Sequence, residues 1–266
     1  MEPVSNPPPN KSSSLAKKKR KRKVLRYFNV DRLGDLKLFD YFFWRNIWRK
    51  VQWADDADLL FHVLEDHIHW PSVNKKCVNK IPGVTLLSTK QQHAYVFRKW
   101  KQIHGEEIEE LNFPETYILP REFSRYVAAH RDHPNWVYLT KQNTGSQGTG
   151  IVLVTNPSQV QLTGEDLIVQ RYISNPYLVR GLKHDMRIYV LLTSIEPLRA
   201  YIHREGLVRF CTDQYEQPTN SNKIKGTVHL TNYSLNKNSK EYQFSDSLYP
   251  IPADSPDFSS KQTLTA

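Results

Sequence analysis

One ten-residue run, Lys141-Gln142-Asn143-Thr144-Gly145-Ser146-Gln147-Gly148-Thr149-Gly150, constrains this chain more than any other. Glycines at 145, 148 and 150 let backbone amides approach an anion closely, because no Cβ stands in the way. A glycine cluster alone is weak, since many such loops are only hairpin turns. Its flanks are more informative. Val137-Tyr138-Leu139 precedes it and Ile151-Val152-Leu153-Val154 follows, both strand-length and apolar. No helix follows the glycines, as a dinucleotide fold would require. No Lys-Ser or Lys-Thr pair follows Gly148 or Gly150, as a P-loop would require. A flexible hairpin that folds over phosphates remains.

Protein kinases and ATP-grasp enzymes both use such a hairpin, but no His-Arg-Asp loop or Asp-Phe-Gly stands here to support a kinase. Leu167 to Ile173 is an apolar strand with a polar edge at Gln170, which suits an adenine ring; taken alone it reads as an ordinary core strand. In Lys183-His184-Asp185-Met186-Arg187-Ile188-Tyr189-Val190, period-two alternation puts Asp185, Arg187 and Tyr189 on one face. Met186, Ile188 and Val190 would then face a core. Asp185 and Arg187 could be a structural ion pair. Beside Lys183 and a phosphate loop, a cationic clamp on a triphosphate or acyl-phosphate is the better reading. Arg209, past the Arg204-Glu205-Gly206 turn, would add a second guanidinium.

Elsewhere, Ser88 to His104 reads as a helix, with Ser88 and Gln91 as a capping box and an apolar stripe through Val96, Phe97, Trp100 and Ile103. Lys90 falls in its first turn, where free amides favour anions. Phe39, Phe42, Phe43, Ile47 and Val51 recur at helical spacing, and a short helix is expected over Glu122 to His130. Ile188 to Leu192 and Leu198 to His203 are strand-length. His62, His67 and His69 with Glu65 and Asp66 fit no metal-ligand spacing and read as polar residues beside a packed helix end. Cys77 and Cys211 are read as small buried side chains suited to a reducing compartment.

The net charge is +10, and it is unevenly spread. Residues 1–26 carry nine cations and one anion, +9 − 1 = +8, which leaves +2 for the rest. The basic run Lys17 to Lys23 has three readings: a nuclear-import signal, a clamp for an acidic polymer, or a solvated tail. No apolar run approaches membrane-spanning length, and the polar N-terminus does not read as a secretory signal. A nucleic-acid-binding protein would rest on the basic run alone.

Gln170-Arg171-Tyr172-Ile173, Asp185 to Leu191, Pro197-Leu198-Arg199, Glu205 to Phe210 and His229-Leu230-Thr231-Asn232-Tyr233-Ser234, in that order, resemble the tubulin tyrosine ligase-like family. The glutamylase branch is closer than the tyrosine ligase itself. Asn79 to Lys90 and Phe113 to Pro120 are similar to upstream blocks, so the resemblance covers roughly residues 75–240.

The resemblance implies an α+β, ATP-grasp-like fold of antiparallel sheets with flanking helices and an incomplete C-terminal lobe. Its expected divisions are a disordered polybasic tail (1–26), an aromatic-rich domain (27–87), a central lobe (88–165), a partial C-terminal lobe (166–240) and a disordered tail (241–266). The implied cofactors are ATP and Mg²⁺. The implied reaction activates a carboxylate as an acyl-phosphate, which an amino acid's amine then attacks. Lys90 and Lys141 would contact phosphates, Gly145, Gln147, Gly148 and Gly150 would cover them, and Gln170 and Lys183 would hold the adenine end. Asp185, Arg187 and Arg209 would be catalytic, with Arg187, Arg209, Thr231 and Asn232 on the acceptor side.

The implied partners are acidic tubulin tails and free glutamate, with glycine as the alternative and no membrane or nucleic acid. The expected location is cytoplasm and cytoskeleton, more finely a cilium or basal body; the basic run leaves the nucleus open. A non-catalytic nucleotide- or microtubule-binding fragment is the competing class. Two departures stand out. Gln142 follows the loop lysine where the family has Pro. The family's late metal ligands, an Asp and then a Glu-x-Asn strand, have no match after Asn232. The chain's Glu110-Leu111-Asn112 precedes the nucleotide loop, and Asp246, Asp254 and Asp257 lack that context. Only Asp185 is left as a contributor to metal binding.

Overall fold

The computed structural model describes residues 24–30, 37–62, 68–73, 76–105, 112–143, 148, 150–162, 166–223, 225–244 and 258–264. The basic run, Gly145, Gln147, Asp246, Asp254, Asp257 and the Glu65-Asp66-His67 group lie outside them. The chain divides into two compact units, Met1–Pro82 and Gly83–Ala266.

In the first unit the described elements are β1 (Arg26–Asn29), α1 (Lys37–Arg45), β2 (Arg49–Lys50), β3 (Leu59–Phe61) and β4 (Cys77–Val78). The strands form one parallel sheet in the order β2-β1-β3-β4. Tyr27 is buried, stacks on Phe43 at 4.1 Å and donates its hydroxyl to Asp40 at 2.7 Å. The helical spacing from Phe39 to Val51 holds only as far as Arg45. Ile47 turns left-handed (φ 61°), after which the amides of Arg49 and Val51 donate to the carbonyls of Leu25 and Tyr27. Pairing with β1 takes the place of further helix.

The second unit contains α2 (Lys90–His104), β5 (Thr116–Leu119), α3 (Phe123–Asp132), β6 (Tyr138–Gln142), β7 (Val152–Val154), β8 (Leu167–Arg171), β9 (Leu178–Val179), β10 (Leu182–Arg187), β11 (Val190–Ser194), β12 (Arg199–Ile202), β13 (Leu207–Phe210), α4 (Gly226–His229), α5 (Tyr233–Asn236) and β14 (Lys261–Thr263). One antiparallel sheet runs β5-β8-β6-β7, a second runs β14-β13-β10-β9, and β11-β12 is a separate hairpin.

Alternation along β5 explains the first sheet. Tyr117 and Leu119 pack with Tyr126 of α3, while Ile118 packs with Ala94 of α2, so helices cover both faces. The mixed α and β architecture, with antiparallel sheets around the central loop, is ATP-grasp-like.

Four expectations need correction. The cap of α2 is Thr89, whose side chain accepts from the amide of Gln92; Ser88 belongs to the preceding 3₁₀ turn, Val84–Ser88. Met186, Ile188 and Val190 do not face a core: they are 58%, 48% and 61% exposed, because β10 ends at Arg187 and no element covers that face among the described residues. The tail beyond 241 is not without structure throughout, since β14 pairs with β13 and Ser259 and Ser260 are buried. Finally, Cys211 is buried but Cys77 is exposed.

Candidate nucleotide site

β6, β8, β10 and β13 carry the charged residues that the sequence singles out. Lys141 lies near the end of β6, where its Nζ donates to Oε1 of Gln170 on β8 at 2.7 Å. Gln170 Nε2 in turn donates to Thr116 Oγ1 at 2.9 Å, so three strands fix one amide. Lys90 opens α2 and donates to the carbonyl of Asn143 at 3.1 Å. Asn143 also accepts from the amide of Gln91 at 3.1 Å and donates to its side chain at 3.2 Å. Asn143, just before the glycines, is thereby tied to a helix N-terminus, whose dipole favours anions.

Gly148 and Gly150 adopt φ of +83° and +69°, a region that other residues rarely enter. A Cβ at Gly148 would lie 2.9 Å from Cγ of Asn232, so the loop lies directly on the residue that opens α5.

On β10, Lys183 Nζ donates to the Tyr172 hydroxyl and the His229 carbonyl, both at 3.0 Å, and lies 4.1 Å from the centre of the Tyr172 ring. Burial holds its pKa down to about 8, with the Lys141 charge pushing the same way. Lys141 is also lowered, first by burial and then by the charge of Lys90; Lys90 itself is lowered by burial. Among the described residues, Lys141 and Lys183 make hydrogen bonds only to neutral groups.

Lys183 feels the Asp185 charge as well, whereas Lys141 faces the like charge of Lys90 and is bonded only to a neutral amide, an arrangement that an added anion would relieve. A triphosphate fits that need.

Asp185 sits opposite Arg209 in the β10–β13 register. Arg209 Nε and Nη2 donate to its two oxygens at 3.0 and 2.5 Å, and Thr231 Oγ1 donates to Oδ2. Arg187, two residues along the strand, approaches only to 3.8 Å and stays half exposed. Asp185 thus takes its hydrogen bonds across the strands from Arg209, and keeps only the longer ion pair with Arg187 along its own strand. For Mg²⁺ the described residues do not suffice, because Asp185 is one carboxylate whose oxygens already serve Arg209 and Thr231.

The structure therefore gathers Lys90 with Lys141, Lys141 with Gln170, Asp185 with Arg209 and Thr231, and Gly148 with Asn232. Three contributors went unassigned from sequence: Asn143, Tyr172 and His229. His229 Nδ1 lies 3.2 Å from the Tyr172 hydroxyl, and burial lowers its pKa. Only its place beside Leu230-Thr231-Asn232 hinted at it, since 46 residues separate it from Lys183.

Residues 71–250, more than half of the chain, match the model of the tubulin-tyrosine ligase family. Among curated proteins, human tubulin polyglutamylase TTLL11 is 41% identical over 217 residues, which is 75% of this chain and 30% of that protein. Mouse tubulin polyglutamylase TTLL13 is 36% identical over 171 residues, 64% of this chain and 21% of its own. The Caenorhabditis elegans tubulin polyglutamylase ttll-11 is 36% identical over 200 residues, 72% and 28% respectively. The chain thus spans about a third or less of the length of these relatives, all of which are glutamylases by name. It belongs to the tubulin-tyrosine ligase family.

Proposed function

We propose that this chain binds ATP between the two four-stranded sheets of its Gly83–Ala266 unit and carries the nucleotide-binding part of a polyglutamylase-type ligase, which joins glutamate to carboxylates of tubulin tails. The observation that carries this reading is Lys141, half-buried, bonded only to a neutral amide and facing the charge of Lys90. ATP would supply the phosphoryl group that activates the acceptor carboxylate as an acyl-phosphate.

The chain's own residues divide the remaining work. Lys90 and Lys141 take the phosphate charge, with Gly148 set against Asn232 beside them. Gln170 and Lys183 hold the adenine end. Arg209 is fixed by Asp185, whereas Arg187, half exposed and held only by a longer ion pair to the same carboxylate, meets charge that develops where amine and carboxylate react. Thr231 and Asn232 border that side. A tubulin substrate would place the protein at the cytoskeleton.

Calorimetric titration with ATP tests the nucleotide site. Lys141→Ala should lose about 1.5–3 kcal/mol of binding, the worth of a charge-assisted contact. An unchanged affinity would remove the assignment. Incorporation of labelled glutamate, with glycine in parallel, into a tubulin-tail peptide tests the chemistry: glycine transfer would make the chain a glycylase, and nucleotide binding without transfer would leave a binding module.

A further inference from the structure

We propose a second binding site in the Gly83–Ala266 unit, in which Arg171 takes a carboxylate of an acidic peptide chain. A cavity of about 1070 Å³ opens where β5 and β6 begin and β8 ends. Tyr138 pairs with Arg171 and Gln142 with Leu167, so this is the end of the sheet away from the glycine loop. Thr116 and Tyr172 border both this cavity and the nucleotide site, but Lys90, Lys141, Gln170 and Lys183 do not line it. The proposal therefore goes beyond the nucleotide reading and does not depend on it.

Among the described residues, four cations, Arg98, Lys101, Arg125 and Arg171, and one carboxylate, Glu115, line the cavity. That carboxylate is already engaged by the Tyr117 hydroxyl at 2.6 Å. Arg98 and Arg125 share a second carboxylate, Glu122.

Arg171 has no ion-pair partner among the described residues. Its guanidinium lies 3.9 Å over the Trp136 ring, and Trp136 lies flat on His133 at 3.8 Å and 10°. Stacking fixes the plane of the fork during folding, so little side-chain entropy is left to lose on binding. A planar fork held this way matches a carboxylate bidentately. The Phe97–Phe113 pair, stacked at 4.0 Å, gives the methylenes of a glutamate an apolar wall. An open cavity at the upper end of the small-molecule range suits a peptide better than a single amino acid.

The test titrates the whole chain with acetyl-Glu-Glu-Glu-amide at about 0.15 M salt, where screening within about 8 Å mutes attraction to the basic run. Arg171→Ala should weaken the peptide about tenfold or more, and Arg171→Lys should recover only part, since lysine keeps the charge without the fork. ATP affinity should stay unchanged in both. Should Arg171→Ala lose its far-ultraviolet circular dichroism, Asn175→Asp is the second variant: Asn175 is an exposed lining residue, and a like charge there should also weaken the peptide. Equal peptide affinity in Arg171→Ala or in Asn175→Asp would overturn the proposal. So would full recovery by Arg171→Lys, or free glutamate binding as tightly as the peptide.

Discussion

The two four-stranded sheets of the larger unit are covered in opposite ways. In β5-β8-β6-β7, α2 and α3 take one face each, and every residue of β5 is buried. In β14-β13-β10-β9, burial fades along β10 from Leu182 to the exposed Met186 and Arg187, and the chain then runs into a hairpin where Leu191 is 63% and Ile202 72% exposed. Apolar contact holds the first sheet. Directed polar contacts hold the second: Asp185 with Arg209 and Thr231, and Asn236 accepting from the amide and hydroxyl of Thr212. The Asp185–Arg209 ion pair thus lies on the sheet that is covered least, while Lys141 and Arg171 stand on the covered one.

The largest test of this contrast is in the covered sheet. Ile118→Ala should cost about 2–5 kcal/mol in urea unfolding, through lost burial and the cavity left behind. Leu191→Ala on the hairpin should stay within about 0.5 kcal/mol. Similar costs would erase the distinction. Next comes Arg209→Ala, which strips Asp185 of a bidentate partner; about 1.5–3 kcal/mol should be lost. A negligible loss would mean that the polar contacts do not hold the second sheet.

Gly148→Ala should cost about 1 kcal/mol, since its φ of +83° disfavours any Cβ and Asn232 leaves no room for one. ATP affinity, read in the same preparation, should fall with it; intact binding would show that the loop need not lie on Asn232.

The smallest effect concerns Lys183. Its pKa of about 8 in the folded protein lies below the ordinary 10.5, so the unfolded chain holds more protons between these values and stability rises with pH there. Lys183→Met should therefore be more stable than the parent at pH 7, by about 1 kcal/mol, with the gap narrowing towards pH 9.5. A gap that did not change with pH would argue against a buried ammonium.

The same contrast governs what could be read in advance. β6, β7 and β8 were legible because apolar runs such as Leu167-Ile168-Val169 meet a real core. The body of α2 was legible from its helical spacing, although its cap fell one residue from the expected place and the buried residue is Ala94, while Trp100 and Ile103 of the expected apolar stripe are exposed. At Met186-Arg187-Ile188 the period-two rule failed, because alternation names two faces but does not supply anything to cover the apolar one. β14 was invisible since Lys261-Gln262-Thr263 has no apolar pattern and is held through backbone pairing. Asp185 and Arg209 on β10 and β13 were singled out by their motifs, and the structure pairs them. Asn143 and His229 were not, since their parts depend on partners 52 and 46 residues away.

β14 also bears on the order of assembly during synthesis. Arg209 pairs with Lys261, 52 positions later in the chain, and Leu264 donates its amide to the side chain of Glu205 at 2.7 Å. Contacts of such long sequence separation form late, after local pieces have condensed. A nascent chain can build the β5-β8-β6-β7 sheet once residue 171 has left the ribosome. The outer edge of β13, beside the arginine that anchors Asp185, must wait until residues 261–263 have emerged, and until then it is an open strand that a chaperone or another nascent chain can capture.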